Sequence, residues 1–131
     1  MAILDSLATY LQTEGLGTVG TSIFLSRMPD SPSVCVTLFE SQGAGPSHVF
    51  GSSVKAVDHQ RIRCIARANP HDYNTARTLC NNVRNALGTV RGTTLSGIQI
   101  LTILPTTEIY PAERDADERP RILCDFTVWL P

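Results

Sequence analysis

The residues of this 131-residue chain with chemical potential are three histidines, four cysteines, scattered arginines and a late run of acids. His48, His59 and His71 do not fall at metal-ligand spacing with one another or with a cysteine. No HExxH, CxxC or HxH occurs, so the spacing indicates no metal site. Cys35, Cys64, Cys80 and Cys124 read as buried free thiols that pack as small hydrophobes. A disulfide framework would need a secretion signal, and Asp5 stands where a signal peptide carries lysine or arginine. A nucleophile needs a base within reach and a third group to orient it. Gly20-Thr21-Ser22 lacks the second glycine of a nucleophile elbow, and Gly51-Ser52-Ser53 lacks the strand-to-helix setting. The segment Gly15 to Gly20 follows a helix and lacks the lysine of a phosphate loop. His71 beside Asp72 reads as helix capping. The acids at 113–118 share one loop, whereas carboxylates that do acid–base work face each other across a cleft. They suit a solvated face or arginines on a neighbour. The reading is therefore a non-enzyme with no catalytic residue, metal or cofactor.

The arginines are more informative. Arg61, Arg63 and Arg67 alternate along a β-rich run, which puts all three on one strand face. There they could meet solvent, bind phosphate or pair with acids of a neighbouring subunit. Aromatic interleaving of the kind that stacks bases is missing, and Lys55 is the one lysine. Sequence-specific nucleic-acid binding is not indicated; non-specific passage of DNA through a ring lumen stays open. Charge is segregated along the chain. Residues 1–58 hold two basic and five acidic groups, residues 59–104 six arginines and one aspartate, and residues 105–131 three arginines and six acids. A positive middle between negative ends suits head-to-tail self-association.

The elements that must position these residues follow from periodicity. Apolar residues make up 42% and charged residues 18%, the composition of one globular domain over residues 1–131. No apolar run is long enough for a transmembrane helix. The chain is expected to be made and kept in a cytosol until it is incorporated into something larger. Ile3, Leu4, Leu7 and Leu11 predict a helix over 2–14, with Gly15 as its left-handed cap and Leu16 folding back. Ile23–Leu25 is a short strand. A turn over Met28 to Pro32 leads to a strand over 34–39 that lies beside it. Residues 41–57 read as a long loop. A strand over 59–68 has Ile62, Cys64, Ala66 and Ala68 on the face opposite the arginines. Asp72 caps a second helix with the stripe Tyr73, Ala76, Cys80, Val83 and Leu87; Asn, Thr and Arg face the other way, and Gly88 ends it. Residues 95–104 read as one strand, 105–120 as an acidic loop, and 121–130 as a final strand. The predicted fold is α+β: a mostly antiparallel sheet with two helices packed on one face, in the order α-β-β-β-α-β-β.

Four landmarks follow one another along the chain: Glu14-Gly15-Leu16-Gly17-Thr18-Val19-Gly20, the turn Met28-Pro29-Asp30-Ser31-Pro32, the arginine strand running into Asn69-Pro70-His71-Asp72-Tyr73-Asn74-Thr75-Ala76, and the loop Arg114-Asp115 to Arg119-Pro120 before a strand ending near Phe126-Thr127-Val128. Their order and spacing resemble the small minor capsid or tail terminator proteins of tailed bacteriophages. In that pattern a glycine precedes the arginine closing the last loop; here Glu118 holds the place. The resemblance implies a hexameric ring of copies of the chain. The ring sits on the tail tube protein, stops tube polymerisation and docks to the neck or connector protein of the filled head. It implies a place in the virion at the head–tail junction, synthesis in the host bacterial cytoplasm and no membrane partner. Candidates for the subunit interface or lumen are Arg61, Arg63, Arg67, Arg114, Asp115, Glu118 and Arg119. The rival readings are another neck or head-completion protein and, from a different class, a small cytosolic α+β enzyme or ligand-binding module with its site under loop 41–57.

Overall fold

Apolar residues three and four apart create both helices. Ile3, Leu4, Leu7, Ala8 and Leu11 give helix α1, Ile3–Thr13, one buried stripe. Gly15, at φ +82°, ends it: its N–H bonds to the Gln12 carbonyl while that of Leu16 reaches back to Leu11. This is a Schellman cap, and Leu16 packs against the core as the cap requires. Helix α2, Tyr73–Leu87, starts where the Asp72 side chain accepts from the Thr75 N–H at 3.3 Å. Ala76, Cys80, Val83 and Leu87 form its buried stripe. Tyr73, expected in that stripe, is instead exposed, and its hydroxyl accepts from Arg77 on the outer face of the helix.

The protein is described from a computed structural model, which covers residues 3–41, 47–48 and 55–131. Among the described residues there are eight strands: β1 Ile23–Leu25, β2 Cys35–Ser41, β3 Ser47–His48, β4 Lys55–Arg67, β5 Arg91–Leu95, β6 Ile98–Pro105, β7 Tyr110–Pro111 and β8 Arg121–Leu130. The sheet order is β1-β2-β4-β8-β6-β5, with β3 on β4 and β7 on β8. Every strand pair is antiparallel except β1 with β2. The central pair is β4 with β8, in register from Asp58↔Leu130 to Arg67↔Arg121. Both helices cover one face. Their stripes meet Leu38, Ile62, Cys64, Ala66, Ile122, Phe126 and Val128 in one cluster of buried side chains. The architecture is the α+β arrangement expected, with β3, β5 and β7 added to the predicted order.

Four local readings change. The strand over 34–39 does lie beside β1, but parallel to it (Ile23↔Val36), so residues 26–34 form a crossover instead of a hairpin turn. The arginine strand begins at Lys55, and Ser47 and His48 pair with its start. The rest of the predicted loop 41–57 lies outside the described residues. The strand read over 95–104 is the second arm of a hairpin. Ser96 and Gly97, at φ +48° and +83°, make the two-residue turn that joins β5 to β6. Strand β5 went unread because Arg91-Gly92-Thr93-Thr94 lies exposed on the sheet edge and shows no apolar alternation. The loop 105–120 also contains strand β7, where Tyr110 pairs with Leu123 and Pro111 with Ile122. Gly88 follows α2 in a right-handed conformation (φ −66°) and donates to the Arg84 carbonyl.

Candidate functional site

Strand alternation puts Arg61, Arg63 and Arg67 on the sheet face away from the helices, and each meets a different environment. Arg61 is exposed. Arg63 faces Asp125 across the β4–β8 register, and its guanidinium grips both carboxylate oxygens, Nε to Oδ1 at 2.8 Å and Nη2 to Oδ2 at 3.3 Å. The hydrogen bond to Asp125 raises the arginine's pKa further. This two-point geometry is the strong form of an ion pair. Arg67 is buried, 3% exposed, and presents no charge at the surface. Its Nε donates to the Ser33 carbonyl at 3.0 Å, and Nη2 donates to the Pro29 and Pro32 carbonyls at 2.6 and 2.7 Å.

The reason for that burial is the crossover. Pro29 and Pro32 lack N–H groups, so the segment cannot pair its own carbonyls in a ladder. Its carbonyls turn inward and need donors, because a buried backbone acceptor left bare costs about 1–3 kcal/mol. Arg67 supplies three bonds. Arg119, 5% exposed, supplies the rest. Its Nη1 donates to the Asp30 carbonyl at 2.6 Å, its Nη2 to Asp30 Oδ1 at 3.0 Å, and its Nε to Asp115 Oδ2 at 2.7 Å. Asp117 Oδ2 lies 3.3 Å from Nη2. Two guanidiniums thus clamp the 26–34 crossover to the 112–120 segment.

Asp115 organises the second half of the clamp. Its Oδ1 accepts from the backbone N–H groups of Asp117 and Arg119, both at 3.0 Å. Burial would raise its carboxyl, but the backbone and side-chain hydrogen bonds of Arg119, with its charge, hold it below the usual carboxylate range. Burial acts to lower the Arg119 pKa, and Asp115 and Asp30 more than offset this, so it is raised. Glu118, standing where the family pattern has glycine, adopts φ +61°, the left-handed conformation that glycine takes without penalty. Its side chain points outward, with Arg114 Nη1 at 3.5 Å as its partner. Arg121 Nε donates to the Glu113 carbonyl at 2.8 Å and fixes the start of the turn.

A second arginine surface lies on the outer face of α2. A groove of about 420 Å³ runs between this helix and residues 108–109, lined by Asn74, Arg77, Thr78, Asn81, Arg84, Glu108 and Ile109. The fifteen residues of α2 include no acid. Arg77 donates from Nη1 to the Tyr73 hydroxyl at 3.1 Å. Arg84 has Glu108 at 3.7 Å, a carboxylate that is itself 88% exposed. On the open sheet face, the His59 and Trp129 rings touch at a 49° tilt with centroids 3.9 Å apart, and Leu104 is exposed. All four cysteines are buried free thiols. Cys64 and Cys124 are register partners, and the neighbouring Cys80 of α2 together with burial raises the Cys64 thiol. Burial pushes the Cys124 thiol up to about 11.

Of the seven candidate residues, the structure brings Arg67, Asp115 and Arg119 into one network, sets Arg114 and Glu118 on its outer rim, and leaves Arg61 and Arg63 further along β4. Sequence reasoning missed Asp30, the crossover carbonyls and Asp125. Two prolines, three and six residues before β2, and an aspartate inside the otherwise apolar final strand were the available signals.

Comparison with known proteins gives two findings. The family model described as "Bacteriophage tail terminator protein" matches residues 10–127. Eighteen chains of solved structures match. One belongs to the virion of a native gene transfer agent particle, with TM-score 0.68, 17% identity, and coverage of 98% of this chain and 94% of that one. At that identity the likeness is one of fold. Among curated proteins none matches.

Proposed function

This chain belongs to the bacteriophage tail terminator family, and from that premise we propose that it is a non-enzymatic virion protein that forms a ring capping the tail tube. The ring ends tube polymerisation and joins the tail to the neck or connector at the head–tail junction. The observation that carries this reading is the family match, which spans all but the first nine and last four residues. Its partners are further copies of the chain, six by family resemblance, together with the tube protein and the neck protein. DNA passes through the lumen without being read.

The geometry supports the reading in one respect. A ring with cyclic symmetry joins two different patches of the same chain. Such patches must hold their shape before they meet, or ordering them would consume part of the binding energy. The Arg67–Arg119 clamp fixes the crossover and the acidic turn within each copy. In this reading Arg61, Arg114 and Glu118 meet a neighbour or the lumen directly. Arg63 contributes through its pair with Asp125, while Arg67, Asp115 and Arg119 hold the presenting loops.

The test is electron microscopy of particles made with and without the chain. With it, density for a ring appears between tube and head. Without it, tubes are overlong and headless. Tails of normal length joined to heads in its absence would overturn the proposal.

A further inference from the structure

The α2 groove has unspent donors. Arg77 makes one described hydrogen bond, to Tyr73, from a guanidinium with five N–H donors. Arg84 has a single carboxylate near it, and that carboxylate stands in solvent. The two arginines are seven residues apart, so they sit two turns along one helix, about 10 Å from each other. Asn74, Thr78 and Asn81 line the same groove and add further hydrogen-bonding groups. Such a surface fits an anionic segment that offers more than one carboxylate.

The same chain carries that segment. Beside the clamp, the 112–120 turn displays exposed Glu113 and Glu118. Their backbones build the turn but their carboxylates are not committed to it: Glu113 contributes its carbonyl to Arg121, and the Glu118 carboxylate has the 3.5 Å contact with Arg114. The helix that carries the groove's arginines lies in the stretch of net +5 charge and the turn in a stretch of net −3. The two patches differ, as a heterologous contact requires.

We propose that the Arg77–Arg84 groove on α2 receives the Glu113–Glu118 turn of a second copy of this chain. The proposal rests on the ring reading and names the contact that would close the ring. The Arg84–Glu108 pair is the site's own placeholder, exchanged for or joined by the incoming carboxylates.

Charge exchange tests it. One variant carries Arg77→Glu and Arg84→Glu; the other carries Glu113→Arg and Glu118→Arg. Each is added to tails lacking the protein, and rings at tail ends are scored by microscopy. The wild-type chain rings the tails. Each variant alone, shown to be folded by circular dichroism and a near-native melting temperature, loses at least 10-fold in ring yield. An equimolar mixture of the two restores rings, because alternating copies present an opposite charge at every contact. Rings of normal yield from either variant alone would overturn the proposal and leave the ring reading intact. So would failure of the folded mixture to recover. Rings of normal yield that no longer bind heads would assign the groove to a neck protein instead, again overturning it. If the wild-type chain forms no ring, the ring reading falls, and this contact falls with it.

Discussion

Two arginine-bearing regions of this molecule use the same side chain in opposite ways. At the clamp, Arg67 and Arg119 are almost fully buried and spread their donors over four carbonyls and the carboxylates of Asp30 and Asp115. On α2, Arg77 and Arg84 lie along an open groove with few partners of their own. The difference teaches how to read an arginine. A guanidinium whose donors are consumed inside the chain is holding a loop. One whose donors remain open is available to another molecule. Burial decides which: a buried arginine missing a partner is intolerable, whereas an exposed one exchanges water for a ligand at modest cost. Formal charge alone does not separate the two regions.

The sharpest way to break the comparison is to remove a clamp arginine. Arg119→Met keeps much of the volume and removes every donor. It leaves the Asp30 carbonyl without its side-chain donor and Asp115 Oδ2 without its closest one. Loss of one member of a buried pair costs about 3–5 kcal/mol, and Arg119→Met is expected to fall in that range by urea denaturation. Arg67→Met is expected to match it, because three crossover carbonyls lose their donors. The two effects should be less than additive, since both guanidiniums hold the same segment. A cost below about 1 kcal/mol for either would mean that water replaces these bonds, and the contrast with α2 would collapse.

Asp115 gives the next largest effect and the one with a pH signature. Asp115→Asn keeps the shape but removes the charge and replaces one of the two acceptor oxygens by a donor. A hydrogen bond to a charged group is worth about 1.5–3 kcal/mol, and the expected cost at neutral pH lies there. The folded carboxyl is held below its unfolded value of about 3.9. Its contribution is therefore fully present above that value and is lost as pH falls through the folded pKa. Chemical denaturation at pH 7 and at pH 3 measures it. The wild type should lose more stability between the two than the variant does. Equal losses would show that Asp115 is not the titrating link.

How far was this contrast legible beforehand? The helices and central strands were, because Leu7, Leu11, Cys80 and Phe126 sit in repeats of unmistakable period. The shared face of Arg61, Arg63 and Arg67 was legible for the same reason. Their separate fates were not. Alternation fixes which side of a strand a residue occupies, and it says nothing about what lies opposite. Arg67 is buried because a proline-bearing crossover, more than thirty residues earlier, lies over it. That is a long-range fact. The parallel pairing of β1 with β2 escaped for a related reason: two short apolar runs joined by a proline turn look alike whichever way the second one runs. The acidic turn was located correctly as a segment, but Asp115 inside it is structural while Glu113 and Glu118 face outward. Local sequence treats the three carboxylates as equivalents.

Glu118 supplies a smaller and opposite effect. Holding a non-glycine residue at φ +61° costs about 1–2 kcal/mol relative to glycine. Glycine would repay part of that through its looser unfolded chain, about 0.4–1 kcal/mol. Glu118→Gly should therefore stabilise the isolated chain by about 0.5–1 kcal/mol. If Glu118 meets a neighbouring copy, the same change lowers ring yield while raising the melting temperature. A more stable chain with undiminished ring yield would remove Glu118 from the contact.

The smallest expected effect completes the comparison. Arg77 is the fifth residue of α2, just past the first turn within which charge interacts most strongly with the helix dipole. It makes one exposed hydrogen bond to Tyr73, and glutamate has nearly the same helix propensity as arginine. Arg77→Glu should change stability by no more than about 0.5 kcal/mol, the usual range for an exposed substitution. The clamp substitutions should cost several-fold more, although each alters a single arginine on the same small domain. If Arg77→Glu instead cost 2 kcal/mol or more in urea denaturation, its guanidinium would be doing structural work in the isolated chain. The groove could then no longer be read as a surface kept open for a partner.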